Sequence, residues 1–215
     1  MKKAGIMMNK IKWIAAVLSL VLLAGIMSQT TDYIQAGDLQ QEIAGKVLRF
    51  HVRANSDSKE DQALKLKVRD AIGSLMSPKM QNVKGIEECR QIARDNMKEI
   101  VDTARKVITS SGYDYAVEAY IKDVDFPDKT YGEYTFPAGN YEALEVIIGS
   151  GAGHNWWCVM YPNMCFSGSV YEVVDGDAKM SLQSTLTKKE YESLVEDKDY
   201  KIQCKYLKSL NKYLD

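Results

Sequence analysis

The stretch at 47–54 (VLRFHVRA) alternates: Leu48, Phe50 and Val52 fall on one side of an extended chain, Arg49, His51 and Arg53 on the other. Alternation with period two marks a strand with one face in a core and the other in water. A half-buried strand is therefore expected here. Asn55, Ser56, Asp57 and Ser58 break the alternation and supply helix caps, with Glu60 and Asp61 in the first turn, where carboxylates favour a helix. Leu64, Val68, Ala71, Ile72 and Leu75 recur at helical spacing, and Ser77-Pro78 is expected to end that helix. A longer helix is predicted over 86–110, with the stripe Ile86, Cys89, Ala93, Met97, Ile100, Val101, Ala104 and Ile108. Gly112 lies just past its end, where a left-handed residue is often required.

The middle third reads as strands. Residues 115–126 place Val117, Ala119 and Ile121 on a common face. Residues 131–136 and 141–149 flank Pro137-Ala138-Gly139-Asn140, which predicts a type I turn and a hairpin between those two runs. The glycine-rich run 149–153 (GSGAG) is expected as a flexible connection into a short strand at 156–161. Thr187 and Glu190 have capping-box spacing and open a C-terminal helical segment. Its apolar stripe is Tyr191, Leu194 and Val195, then Ile202, Tyr206, Leu210 and Tyr213. The order βααββββα predicts one α+β domain over 37–215, with a mostly antiparallel sheet, two helices near its N-terminal side and a C-terminal helical segment.

The first thirty residues follow another pattern. Lys2, Lys3, Lys10 and Lys12 precede an uncharged apolar run at 13–27 (WIAAVLSLVLLAGIM). This is the layout of a secretory signal peptide, with an uncleaved N-terminal anchor as the alternative over 1–30. The lysines orient the remainder to the outside of the producing cell. The whole chain of 215 residues carries a formal charge of -1. Without residues 1–36 it has 24 basic and 28 acidic side chains, a net charge of -4. No basic field is present to gather nucleic acid.

Export changes how Cys89, Cys158, Cys165 and Cys204 are read. Outside the membrane an even number of cysteines can pair. Cys158 and Cys165, with Pro162 between them, are the candidate disulfide. No C-x-x-C spacing supports a zinc or redox site, and two histidines are too few for a His-rich metal site, so neither metal nor cofactor is expected.

Catalytic patterns are weak. GSGAG lacks the Lys-Ser/Thr and the following helix that a phosphate loop needs. His154 and Cys158 share a strand face but lie about 13 Å apart along it, too far for a thiol–imidazole pair. Asp123, Asp125, Asp128, Glu133, Glu142 and Glu145 offer carboxylates for a wall-cleaving glycosidase without singling out an acid–base pair. No catalytic residue is assigned. Trp156-Trp157 is the unusual feature, because adjacent strand residues point to opposite faces. One ring is expected in the core and the other on a partner surface with Tyr131, Tyr134, Tyr141 and Asn155. The strand face of Arg49, His51 and Arg53 is a second candidate, suited to an acidic partner.

Two segments, 48–72 (LRFHVRANSDSKEDQALKLKVRDAI) and 126–166 (FPDKTYGEYTFPAGNYEALEVIIGSGAGHNWWCVMYPNMCF), resemble the stage II sporulation protein R family. The resemblance implies a protein of endospore formation, made in the forespore and exported into the space between the two membranes. It implies a trigger for a membrane-embedded aspartic protease of the mother cell, which processes the sigma-E precursor. Contact with the membrane itself is then expected only through the leader or the partner. The family supplies no catalytic residues. The readings that compete are a peptidoglycan-binding module and a secreted wall hydrolase.

Overall fold

The structure is a computed structural model that describes residues 37–164 and 176–195, together with positions 13, 17–21 and 23. The chain divides into two units, 1–40 and 41–215. In the first, the described positions of the apolar run are helical, with Trp13, Val17 and Leu18 exposed. No helix among the described residues is long and apolar enough to cross a membrane.

The second unit is α+β. Strand β1 (Leu48–Arg53) leads into helices α1 (Lys59–Met80), α2 (Ile86–Asp95) and α3 (Met97–Ser110). Strands β2 (Val117–Phe126), β3 (Lys129–Tyr131), β4 (Tyr134–Phe136), β5 (Gly139–Ile148) and β6 (Asn155–Tyr161) follow, then helices α4 (Gly176–Thr185) and α5 (Lys188–Val195). The main sheet has the order β2-β5-β1-β6, and β3 and β4 form a separate two-stranded ribbon. In the main sheet β1 runs parallel to β5, and the other two pairings are antiparallel. The parallel pair needs a crossover, and the three helices supply it on one face of the sheet.

On that face Leu48, Phe50, Val52, Leu144, Val146 and Ile148 meet Leu64, Val68, Ile72 and Met76 of α1 and Ile100, Ala104 and Ile108 of α3 in one core. Helix α1 starts where expected, with Ser58 Oγ accepting from the Asp61 amide at 3.1 Å. It does not stop at Ser77-Pro78 but runs to Met80 with Pro78 inside its last turn. Burial of Met76 and Met80 holds that turn in helical form despite the hydrogen bond the proline removes. The single helix expected over 86–110 is two. Asn96 (φ -99°, ψ 7°) interrupts it, its Nδ2 donating to Ile92 O at 2.7 Å and its Oδ1 accepting from Lys79 Nζ at 2.6 Å. The expected stripe survives the break, with Cys89, Ala93, Ile100, Ala104 and Ile108 buried. Gly112, at φ +87°, closes α3 as expected: its amide donates to Thr109 O at 3.0 Å and that of Tyr113 to Ile108 O at 3.1 Å.

The strand pairing differs from expectation. Residues 131–136 do not pair with 141–149. Strand β4 turns back on β3 through Gly132 (φ +58°), and β5 pairs along its whole length with β2, Phe126 opposite Gly139 and Val117 opposite Ile148. The β3–β4 ribbon is thus the folded loop of a long β2–β5 hairpin. Asp128 Oδ1 accepts from the Ala138 amide at 2.6 Å where the chain re-enters the main sheet.

The run 149–153 is not a flexible linker. Asn55 Oδ1 accepts from the Ser150 amide at 3.0 Å, Asn55 O from Ser150 Oγ at 2.6 Å, and Ala54 O from the Gly153 amide at 3.0 Å. Arg53 adds two bonds to Gly151 O, at 3.0 and 2.7 Å. A Cβ on Gly153 would lie 2.1 Å from Ser56 O, a backbone atom that cannot swing away. Gly153→Ala should therefore lower unfolding free energy by about 2 kcal/mol or more. Gly85→Ala, where a Cβ meets nothing within 4 Å, should cost no more than about 1 kcal/mol. Urea denaturation of the two variants side by side makes the comparison, and equal midpoints would show that the loop is not tied as described.

Candidate functional site: the second face of the sheet

The side of β1 that carries Arg49, His51 and Arg53 is not a solvent face. Arg49 is fully buried and His51 is 2% exposed, because β1 lies inside the sheet and its second face is covered in turn. The cover comes from residues that point the same way on neighbouring strands. Register sets Glu145 of β5 and Trp157 of β6 on either side of His51. Phe126, at the end of β2, and the β3–β4 ribbon close the Arg49 end. Helix α5 packs on β4, with its capping box formed by Thr187 N donating to Glu190 Oε2 (2.6 Å) and Glu190 N to Thr187 Oγ1 (3.4 Å). Glu190 also binds Lys46 Nζ at 2.7 Å, just before β1.

Arg49 sits in a cage of rings. Its guanidinium carbon is 4.3 Å from the centre of Phe126, 5.0 Å from Tyr141, 5.1 Å from Phe136 and 5.8 Å from Tyr131. Nε donates to Cys158 O and Nη2 to Tyr131 Oη, both at 3.0 Å. Nη1 has no hydrogen-bond partner among the described residues. Burial pulls the Arg49 pKa below its ordinary value, and the Tyr131 and Tyr141 hydroxyls offset part of that. Burial also pushes the Tyr131 hydroxyl up, while Arg49 opposes the shift.

Two residues along β1 the cover ends. His51 stacks on Trp157 with centroids 3.9 Å apart, and Phe126 meets the same indole edge-on at 4.6 Å. Glu145 Oε1 lies 3.6 Å from His51 Nδ1 and 3.6 Å from Arg53 Nη1, while Oε2 lies 2.5 Å from Lys122 Nζ. The Glu145 side chain is 2% exposed, but Arg53 and Lys122 are 36% and 48% exposed. A buried acid thus forms the floor of a patch whose rim is two cations, Tyr120 and the half-buried Trp157. Neither ring nitrogen of His51 makes a hydrogen bond of ordinary geometry among the described residues, although the neighbouring Asn155 side chain favours the charged ring. Burial pulls the His51 pKa down to about 4, more than Glu145 raises it. The imidazole is therefore neutral near pH 7.

The residues expected to share a partner surface are scattered. Tyr134 and Tyr141 are buried, the first with its hydroxyl 2.9 Å from that of Tyr191, the second donating to Pro137 O at 2.7 Å. Tyr131, half-buried, belongs to the Arg49 cage. Trp156 and Trp157 do point to opposite faces, but both are half-buried. Trp156 meets Phe50 edge-on at 5.3 Å on the helical side, with Arg69 5.2 Å from its ring. Asn155 is half-buried beside Arg53, its partner in register. The basic strand face named as the second candidate is closed at Arg49 and His51, and only Arg53 reaches water. Both were buried because β5 and β6 flank β1, which no pattern within residues 47–54 reports. A signal did exist in the pairing: Glu145 is a lone carboxylate within the apolar run ALEVII (143–148), as Arg49 and His51 are lone polar residues between apolar ones.

His154 and Cys158 do not meet as nucleophile and base. His154 Nδ1 lies 2.5 Å from Asp57 Oδ1 at the start of α1, and hydrogen bonds from His154 hold the Asp57 carboxyl below its usual range. Cys158 is disulfide-bonded. Cys165, its expected partner, lies outside the described residues, as do Cys204 and the apolar stripe beyond residue 195. Cys89 is a buried free thiol whose pKa burial pushes up to about 12. Most of the clustered carboxylates have structural partners: Glu142 with Arg90 (2.6 Å), Asp125 with Asn140 (2.9 Å) and Glu133 with the Tyr134 hydroxyl (2.8 Å). Among the described residues no three His, Cys, Asp or Glu side chains gather as metal ligands.

Residues 44–171, which hold the whole sheet and the helical layer on it, match the family described as stage II sporulation protein R (spore_II_R). The chain belongs to this family. It is 34% identical over 156 residues to the stage II sporulation protein R of Bacillus subtilis (strain 168), an alignment spanning 72% of this chain and 68% of that protein. No solved structure matches it. The family match ends before α4 and α5, so the Lys46–Glu190 and Tyr134–Tyr191 contacts join the family's segment to a part of the chain outside it.

Two predictions follow from the burial of this face. Arg49→Ala should cost about 3–5 kcal/mol of stability, since it empties the ring cage. Arg49→Met, which refills the space without a charge, should cost clearly less. Similar losses for the two, in denaturant titrations, would show that charge rather than filling holds the cage. His51 in the folded state titrates near 4 against an ordinary 6.5, so the unfolded chain binds the proton first. Its contribution is complete above pH 6.5 and is lost as pH falls toward 4, by about 3 kcal/mol in all. The stability difference between wild type and His51→Leu should shift by that amount across this window. A constant difference would contradict a buried neutral imidazole.

Proposed function

We propose that this chain is an exported signalling protein of endospore formation. In this reading it leaves the forespore by its N-terminal leader, enters the space between the two membranes and there triggers the mother cell's membrane-embedded aspartic protease, which processes the sigma-E precursor. Family membership over the sheet and its helices is the observation that carries the reading. The arrangement of side chains agrees with a ligand rather than an enzyme. Arg49, the most deeply buried polar side chain among the described residues, is enclosed by rings, a carbonyl and a phenol, which is how a structural cation is held. The exposed histidine is paired to Asp57, without a nucleophile between them.

The protease would meet the accessible part of the proposed partner surface, the rim of Trp157, Asn155, Arg53 and Lys122. Its two cations around a single buried carboxylate suit an acidic contact on the partner.

The decisive experiment is coexpression, in a cell that does not sporulate, of the chain with the candidate protease and the sigma-E precursor. Processing should depend on the full chain and should fall at least tenfold when residues 1–30 are removed and the product stays in the cytoplasm. Full processing by the retained product, without leakage across the membrane, would overturn an action from outside. Loss of turbidity of purified walls on adding the chain would favour the wall hydrolase instead.

A further inference from the structure

Strand β2 is an edge of the main sheet, ten residues long, with β5 on one side and no strand on the other among the described residues. Such an edge presents a row of free backbone donors and acceptors, and soluble proteins keep it from pairing with like-charge clashes, bulges or covering elements. The register of β2 against β5 is unbroken over all ten residues, so no bulge twists it away.

The side chains of β2 read Val117-Glu-Ala-Tyr-Ile-Lys-Asp-Val-Asp-Phe126. On the face shared with Glu145 they are Glu118, Tyr120, Lys122 and Val124, all exposed except the half-exposed Val124. The charges two residues either side of Tyr120 are opposite in sign, Glu118 before it and Lys122 after it. If a second β2 runs antiparallel with Tyr120 opposite Tyr120, then Glu118 of each copy faces Lys122 of the other. Ala116 faces Val124 at the two ends. On the helical face Ala119 and Ile121, both half-buried, face each other twice. Moving the centre to residue 118 or 122 sets two like charges directly opposite. A centre at Ile121 leaves Glu118 facing Val124 and Lys122 facing Tyr120, so both ion pairs are lost; Asp123 faces an apolar residue in either register, Val117 or Ala119. Directly opposed unlike charges and aromatic pairs stabilise an antiparallel ladder, and like charges destabilise it.

We propose that the chain pairs with a second copy of itself through β2, antiparallel and centred on Tyr120, joining two four-stranded sheets into one of eight strands. The occupant is a second copy because the charge complement of the edge is the edge itself. Tyr120, 45% exposed, supplies the central contact, and its hydroxyl already bonds Glu118 at 2.8 Å. Lys122 lies between its own Glu145 and the Glu118 brought by the partner. The inference does not rest on the proposed signalling role, but the two surfaces share Lys122.

Directly opposed antiparallel residues have Cα atoms about 4.5–5.5 Å apart, inside the range a disulfide spans. Full-length chains carrying Glu118→Cys, Tyr120→Cys or Val124→Cys, oxidised under the same conditions as wild type, therefore report the register. Tyr120→Cys should give a covalent dimer at least tenfold above wild type. Glu118→Cys, about 14 Å from its own copy in this register, and Val124→Cys, about 27 Å from its own, should stay near background. Adding Glu118→Lys to Tyr120→Cys should lower the dimer yield about tenfold, because two opposed-charge pairs become like-charge pairs. Circular dichroism and melting on the same samples confirm that each variant is folded. No excess dimer with folded Tyr120→Cys, or equal dimer from all three cysteine positions, would overturn the proposal. So would a yield indifferent to Glu118→Lys.

Discussion

The fold is organised around a guanidinium that cannot reach water. Removing a cation from solvent costs several kcal/mol even after relaxation, and Arg49 occupies the inner strand β1 with no exposed surface. The surroundings must supply what water would have supplied. A backbone carbonyl from β6 and a phenol from β3 accept hydrogen bonds, and rings from β2, β3, β4 and β5 present their faces. Each well-placed ring contributes about 0.5–2 kcal/mol to a desolvated cation. Every strand beyond β1 gives something to this one charge. The β3–β4 ribbon has little core of its own, and its position over the end of the sheet follows from carrying Tyr131 and Phe136 to Arg49.

That cover is partial, and its limit defines the accessible patch. Past Phe126 the ribbon ends, and the next polar residue on β1, His51, is sheltered by Trp157 instead. Beyond it Arg53 and Lys122 share the buried carboxylate of Glu145 while reaching solvent. One strand therefore passes from a closed structural cation, through a buried neutral imidazole, to an open basic rim within five residues. Arg53 also ties the far end of the patch to the glycine-rich connection through Gly151 O. Rigidity at that connection reaches back into the sheet.

The other organising contact lies at the end of the sheet where β1 enters α1. Asn55 bonds the connection 149–153, and Asn55 and Ser56 together bond Asp61 in the first turn of α1, with Ser56 Oγ and Asn55 Nδ2 on Asp61 Oδ2 at 2.5 and 2.9 Å. These two bonds, Ser56 first, hold the Asp61 carboxyl below its ordinary range. The helix cap and the loop cap are one polar network, and Gly153 must lack a side chain because Ser56 occupies that space. The segments that carry the family resemblance, V-R-A-N-S-D and G-x-G-x-N-W-W, are far apart in sequence and adjacent in space for this reason.

Much of the architecture was legible in the chain. Local signals decided the elements themselves: the alternation at 47–54, the Ser58 cap, the apolar stripe through Cys89 to Ile108, Gly112 as a left-handed stop and the Thr187–Glu190 capping box, each a matter of residues within one or two turns of one another. The class, α+β with a mostly antiparallel sheet, followed from their order. What the sequence could not carry was which strands are neighbours. Pro137-Ala138-Gly139-Asn140 is a sound turn signal, yet β4 found β3 and β5 found β2, since pairing is decided by the faces that must be covered rather than by the turn. Alternation in β1 predicts a wet face because period-two patterning records polarity and not exposure. Only the tertiary structure, by placing β1 between β5 and β6 and laying four rings over Arg49, turned that polar face into the interior of the protein.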